Sequence, residues 1–112
     1  MNSELRQHHC ESCEGIGSAL TAMQVNNLLP QLHKNWQANV DHTIITRTIK
    51  FNNFYETMAF VNAVAFIANC ENHHPDLEIG YNYCHIHFMT HALKGLSMND
   101  FILATKIDAL LE

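Results

Sequence analysis

Basic residues are scarce. Six Lys and Arg stand against eleven Asp and Glu in 112 residues, a formal charge of −5. Such a surface does not suit nucleic acid or an anionic membrane as the main partner, because phosphate binding needs a basic face. Long apolar runs are missing too. None approaches the ~20 residues that cross a bilayer. Residues 1–14 hold no apolar stretch of the kind a signal peptide needs. These absences predict a soluble, cytoplasmic chain with no membrane contact and no direct nucleic-acid contact. Cysteine is limited to Cys10, Cys13, Cys70 and Cys84. An even count invites disulfides, but without a secretory signal reduced thiols are the expectation. There is no internal repeat and no low-complexity tract.

What remains is an ordinary globular composition, 47% apolar, at a length that suits one domain. A chain of this size buries roughly two-thirds of its unfolded surface. That is enough for a core without disulfides or structural metal. The unusual feature is histidine, which occurs nine times. It can serve acid–base chemistry or metal binding, or simply be solvated.

Residues 1–20 are polar, carry Gly15 and Gly17, and read as a tail. A single domain is expected over residues 21–112. Thr21 with Gln24 forms a capping box ahead of Val25, Leu28, Leu29 and Leu32 at helical spacing. Pro30 ends or kinks that helix. Residues 36–40 make a short strand candidate, and Asp41-His42 a turn. Over residues 43–51, Ile45, Arg47, Ile49 and Phe51 alternate with polar neighbours, as in a half-buried strand. Arg47 on the apolar side calls for an acidic partner. Asn53 with Glu56 opens a helix reaching about residue 70. It has one stripe of Phe54, Met58, Val61, Ala65 and Ala68 and a second of Phe60, Val64 and Ile67. Two apolar faces predict burial on two sides, the second of them against another subunit. Pro75 prevents continuation. Residues 77–81 and 83–89 read as strands, with Cys84, Ile86 and Phe88 facing one way and Tyr83, His85, His87 and Met89 the other. Gly95 marks a loop. Ser97 with Asp100 opens a last helix bearing Phe101, Ile102, Ala104, Ile107, Leu110 and Leu111. The predicted fold is α+β. A four-stranded antiparallel sheet carries three helices packed mainly on one face, in the order α-β-β-α-β-β-α.

The densest polar cluster is Glu71-Asn72-His73-His74-Pro75, just after the long helix. Thr90-His91 follows at the end of the last strand. A helix end and a strand end can converge on one cleft, and histidine titrates near neutral pH, so the pattern suits general acid–base catalysis. The plainer readings are a solvated helix stop for His-His-Pro and a helix cap for Asp100. Cys84, His85 and His87 are metal-type residues, but alternation puts Cys84 on the opposite face, so the three do not share one ion. His8-His9-Cys10 with Cys13 offers zinc-type ligands, but no second half-site accompanies it. No metal is expected to be required.

His73-His74-Pro75, the aromatic Tyr81, Thr90-His91, then Gly95-Leu96-Ser97 and Asp100 together resemble the pterin-4a-carbinolamine dehydratase family. Trp36, Arg47, Phe51 and the helix from Phe54 extend the likeness, which covers most of the chain from Thr21. The resemblance implies dehydration of a 4a-hydroxytetrahydropterin to the quinonoid dihydropterin. That step recycles the cofactor of aromatic amino acid hydroxylases, a functional link to those enzymes. It implies His73, His74 and His91 as catalytic residues. His73 and His91 would exchange acid and base roles while His74 binds and polarises substrate. Asn72, Met89 and Thr90 would complete the pterin site, with Glu71 and Asp100 in support. It implies no cofactor, and assembly as a homodimer or homotetramer. Two positions depart from the family pattern. Asn69 and Asn72 stand where an acid is common. Cys-x-x-Cys tails resemble those of bacterial members. Two other functions fit the composition: a protein-binding regulatory module of the dimerisation-cofactor type, and a metal-binding protein.

Overall fold

Polar residues open the helices where the sequence places them. Thr21 Oγ1 accepts from the Gln24 N–H, and Gln24 Oε1 accepts from the Thr21 N–H, starting a helix at Ala22–Leu28. Asn53 Oδ1 accepts from the Glu56 N–H and starts the long helix Phe54–Glu71. Here the box is only half formed, because the Glu56 carboxylate takes the Asn52 N–H instead. The computed structural model describes residues 3–11 and 17–112. Cys13 and Gly15, which entered the sequence expectations, lie outside the described residues.

The described elements are α1 (Ser3–Gln7), α2 (Ala22–Leu28), β1 (Gln37–Ala38), β2 (Ile45–Lys50), α3 (Phe54–Glu71), β3 (Asp76–Ile79), β4 (Tyr83–Phe88) and α4 (Met98–Ala109). The fold is α+β, and its four strands form one antiparallel sheet in the order β1-β2-β4-β3. Alternation decides the faces. Ile45, Arg47 and Ile49 of β2 and Cys84, Ile86 and Phe88 of β4 are buried. They join Val25, Phe60, Val64, Phe101, Leu103 and Ile107 in one core. The helices therefore cover one face of the sheet. Thr46, Thr48, His85 and His87 lie on the other.

Arg47 has the acidic partner its position demands. Its guanidinium pairs with Asp108 of α4, and both side chains are buried. The same carboxylate accepts from Trp36 Nε1 at 2.8 Å and from the His33 N–H at 3.0 Å. One buried charge thus ties β2, the segment before β1 and α4 together.

Four expectations need correction. Residues 1–20 are not simply a tail. Ser3–Gln7 is helical, and Leu5 is buried in the core. Arg6 Nε donates to the Thr105 carbonyl at 3.0 Å, and Lys106 Nζ to the Arg6 carbonyl at 2.7 Å. A helix this short leaves no readable periodicity, and its anchors lie a hundred residues away.

The stripe Phe60, Val64 and Ile67 is not the outward face of α3. Val64 is 1% exposed and Phe60 6%. They form the core stripe with Thr57, Val61 and Ala68. Thr57 is polar, so no apolar stripe includes it. Its hydroxyl is satisfied in the interior by the Asn53 and Tyr81 carbonyls, so it counts as core. The uncovered face instead carries Tyr55, 88% exposed, and Phe66, 70% exposed. Finally, Leu110 and Leu111 lie past the end of α4. With Phe51, Ala59 and Ala63 they line an apolar groove of ≈ 400 Å³ beside α3. The strands are also shorter than the pattern suggested. β1 is reduced to Gln37–Ala38 because Asn39 folds back, its Oδ1 accepting from the Thr43 and Ile44 N–H groups.

Candidate active site

The site begins where α3 ends. Asn72 has φ 53°, ψ 40°, the left-handed conformation that closes many helices. Asparagine tolerates it better than most residues. The His73 N–H then bonds back to the Ala68 carbonyl at 3.1 Å. This turn points the chain across the sheet, and buried Pro75 leads it into β3. On the other side, β4 runs out at Phe88. Thr90 pairs with Gly95, its N–H donating to the Gly95 carbonyl at 2.8 Å. The loop between them includes the short 3₁₀ turn His91–Leu93 and Lys94 at φ 53°.

These two ends meet. Asn72, His73, His74, Met89, Thr90, His91 and Ala92 line a cavity of ≈ 200 Å³. The three histidines and the three other residues assigned to a pterin site from the sequence therefore share one concavity. Their environments differ sharply. The His73 side chain is 10% exposed and that of His91 64%. His74 is exposed, with Nδ1 3.2 Å from the Pro75 carbonyl. His91 Nε2 lies 3.7 Å from Asp76 Oδ2, beyond hydrogen-bond reach but close enough for attraction.

His73 is the braced member. Its Nε2 lies 2.7 Å from Oδ1 of Asp100, which is wholly buried. Its ring stacks on Phe88, with centroids 6.2 Å apart and planes at 5°. Asp100 is itself held. Oδ2 accepts from Thr90 Oγ1 at 2.8 Å and from the Ser97 N–H at 3.0 Å. Thr90 and Ser97 also bond through their hydroxyls at 2.7 Å. A carboxylate accepts and does not donate, so His73 must carry its proton on Nε2. In the neutral ring, Nδ1 is then the basic atom. Asp100 caps α4 and orients His73 at once. The cap uses Oδ2 and the contact with His73 uses Oδ1.

Glu71 lies elsewhere. Its carboxylate accepts from the Cys10 N–H at 2.7 Å and bonds His9 Nδ1 at 2.8 Å. Beside it, Asn99 clamps Glu11, accepting from its N–H and donating to its carbonyl. Burial alone would raise the Glu71 carboxyl. The Cys10 N–H and His9 outweigh that and hold it below its ordinary value. Glu71 thus fastens the N-terminal segment against the end of α3, and it does not line the histidine cavity. Sequence reasoning missed this strap, since nothing local marks Glu71 or Asn99 as its anchors.

Two thiols are chemically quiet. Burial, with Glu71 adding to it, pushes Cys10 up to about 12, and burial pushes Cys84 up to about 11. Neither offers a thiolate near neutral pH. Cys84 faces the core, away from His85 and His87, as alternation required. A larger cavity, ≈ 670 Å³, runs beside the strap between His8, His9, Ser18 and Met98. The smaller one holds the convergent histidines and the braced dyad, so chemistry, not size, marks the candidate site.

Comparison with known proteins bears on the family and the fold. The family model described as pterin 4 alpha carbinolamine dehydratase matches residues 18–110. A Legionella pneumophila (strain Lens) protein bearing the pterin-4-alpha-carbinolamine dehydratase name is 68% identical over 111 residues, covering 99% of this chain and 98% of that one. A Nitrosomonas eutropha protein of the same name is 48% identical over 108 residues, covering 96% and 94%. Among solved structures, a transcriptional coactivator/pterin dehydratase from Brucella melitensis superposes with a TM-score of 0.79 at 29% identity, over 85% of this chain and all of that one. A pterin dehydratase-like RuBisCO assembly factor of the alpha-carboxysome shares the fold, with a TM-score of 0.60 at 23% identity, over 70% and 90%.

Proposed function

Because the chain belongs to the pterin 4 alpha carbinolamine dehydratase family, and so to a family of dehydratases, we propose that it dehydrates 4a-hydroxytetrahydropterin in the His73–His74–His91 cavity by histidine acid–base catalysis. The observation that carries this reading is one constellation: three histidines around one concavity, one of them locked to a buried carboxylate.

The reaction needs an acid and a base on one small molecule. The C4a–O bond breaks with a proton delivered to the leaving hydroxyl. The N5–H bond breaks with its proton taken by a base. The C4a=N5 double bond forms and water departs. His73, with Nε2–H committed to Asp100, presents Nδ1 as the base, and the carboxylate stabilises the imidazolium that results. His91 serves as the acid, with the Asp76 carboxylate 3.7 Å from its Nε2. His74, exposed at the mouth, binds and polarises the ring. Asn72, Met89 and Thr90 shape the floor. Recycling the cofactor of an aromatic amino acid hydroxylase is the physiological role that fits this product.

We also infer a homo-oligomer, with a corrected interface. Tyr55 and Phe66 on α3 form the uncovered face, next to the groove of Phe51, Ala59 and Leu111. Patches of this kind on small domains mark protein contacts. The same face would serve a regulatory partner, a reading favoured by the Brucella protein, which is described as both a transcriptional coactivator and a pterin dehydratase.

The test is an ultraviolet assay of pterin dehydration. Wild-type protein should turn over the carbinolamine. His91→Ala should lose about 10²–10⁴-fold, as for lost acid–base assistance. His73→Ala combined with His91→Ala should lose more than either alone. An unaltered rate in the double variant would overturn the mechanism.

A further inference from the structure

The open face of the sheet gathers histidine and carboxylate a second time. Alternation along β4 puts His85 and His87 there. The register sets Glu78 of β3 opposite His85 and Asp76 opposite His87. On the other flank, Thr48 of β2 stands opposite His85 and Thr46 opposite His87. Both rings are held alike. Thr48 Oγ1 lies 2.7 Å from His85 Nδ1, and Thr46 Oγ1 lies 3.0 Å from His87 Nδ1. The Glu78 carboxylate lies 3.4 Å from His87 Nε2.

A hydroxyl that accepts from Nδ1–H leaves the lone pair of a neutral imidazole on Nε2. That is the form a metal ion requires. Metal-binding histidines are commonly fixed in this way, by an acceptor on the nitrogen that does not ligate. Two residues apart on a strand, the rings share a face at a separation of roughly 6–7 Å. Tilting toward each other, they can close on one ion with bonds of about 2.0–2.1 Å. As they stand, no three such side chains among the described residues are close enough together to hold an ion, so the site forms only when side chains move. The Glu78 side chain is 67% exposed, so it is free to swing from His87 into the third position, with water as the fourth. Imidazole nitrogen with one carboxylate suits borderline divalent ions such as zinc, not magnesium or calcium.

We propose that His85, His87 and Glu78 form a surface site for a divalent transition ion of the zinc class, with Thr46 and Thr48 as its orienting residues. The site lies on the opposite side of the sheet from Cys84 and uses no cysteine. It is not required for the dehydration proposed above.

The probe is Zn²⁺ itself, titrated calorimetrically into the untagged full-length chain kept reduced. Wild-type protein should bind one equivalent that His85→Gln/His87→Gln lacks, while the variant retains its circular dichroism and its dehydratase rate. Thr46→Val/Thr48→Val should keep that equivalent but weaken it about 10–100-fold, the usual effect of losing an orienting partner. Co²⁺ in the same site should show d–d bands without thiolate-to-metal charge transfer. Equal zinc stoichiometry and affinity in wild type and the double histidine variant would overturn the proposal. So would a thiolate band that accompanies the disputed equivalent.

Discussion

Asp100→Asn keeps the shape of the brace at the candidate dyad and removes its charge and one of its two accepting ends. The carboxylate accepts from His73 through Oδ1 and from Thr90 and Ser97 through Oδ2. An amide has one accepting and one donating end. If its NH₂ faces Ser97, two buried donors oppose each other. If it faces His73, the ring must flip its tautomer, putting the proton on Nδ1 and the lone pair on Nε2. The first arrangement leaves a buried donor unsatisfied, at about 1–3 kcal/mol. For a domain near this size that is a melting decrease of several degrees or more. The second preserves stability and inactivates the base, since Nδ1 then bears a proton. Turnover should fall by about 10²–10⁴-fold in the second case. Thermal unfolding by circular dichroism and the ultraviolet assay, run on the same preparation, separate the two. Thr90→Val, read by melting alone because Thr90 belongs to the proposed pterin site, is the stability control, since it removes one donor to Asp100 and leaves the His73 tautomer alone. Asp100→Asn with wild-type melting and wild-type turnover together would refute the reasoning.

Asp108→Ala should strand the buried Arg47 guanidinium and cost about 3–5 kcal/mol, read from urea unfolding. A loss below 1 kcal/mol, well short of that ~3–5 kcal/mol range, would show that the pair contributes little. Phe66→Asp should leave the core intact, because the side chain is 70% exposed, yet shift the protein to a smaller species by light scattering. A wild-type protein already monomeric at micromolar concentration contradicts the interface reading. Glu71 has a lowered carboxyl, so its stabilisation is fully present above the ordinary carboxylate range and is lost as pH falls through the lowered value. Protection of the Cys10 amide from hydrogen exchange, taken relative to its intrinsic rate at each pH, should therefore fall on acidification in wild type. Glu71→Gln should remove most of that dependence.

Legibility followed the range of the interaction. Capping residues act over three positions, and alternation acts over two. Helix starts at Thr21, Asn53 and Ser97 and the two faces of β4 were therefore readable from the chain. Arg47 showed by its misplaced charge that an acid had to meet it, but not which one. Asp108 lies 61 residues away, and only folding brings it there. The histidine cluster was legible as residue types, and the family pattern named its members. Legible in the chain alone were the elements from Thr21 onward, the sidedness of the strands and the histidines proposed for the site. Each follows from local backbone geometry or from a fixed motif. Which α3 stripe faces inward depends on the folded molecule, since Thr57 counts as core only where the Asn53 and Tyr81 carbonyls satisfy it. The fold alone has Glu71 fasten the N-terminal strap while Asp100 braces His73. Those assignments depend on which buried donor reaches which carboxylate, and packing of distant segments sets that.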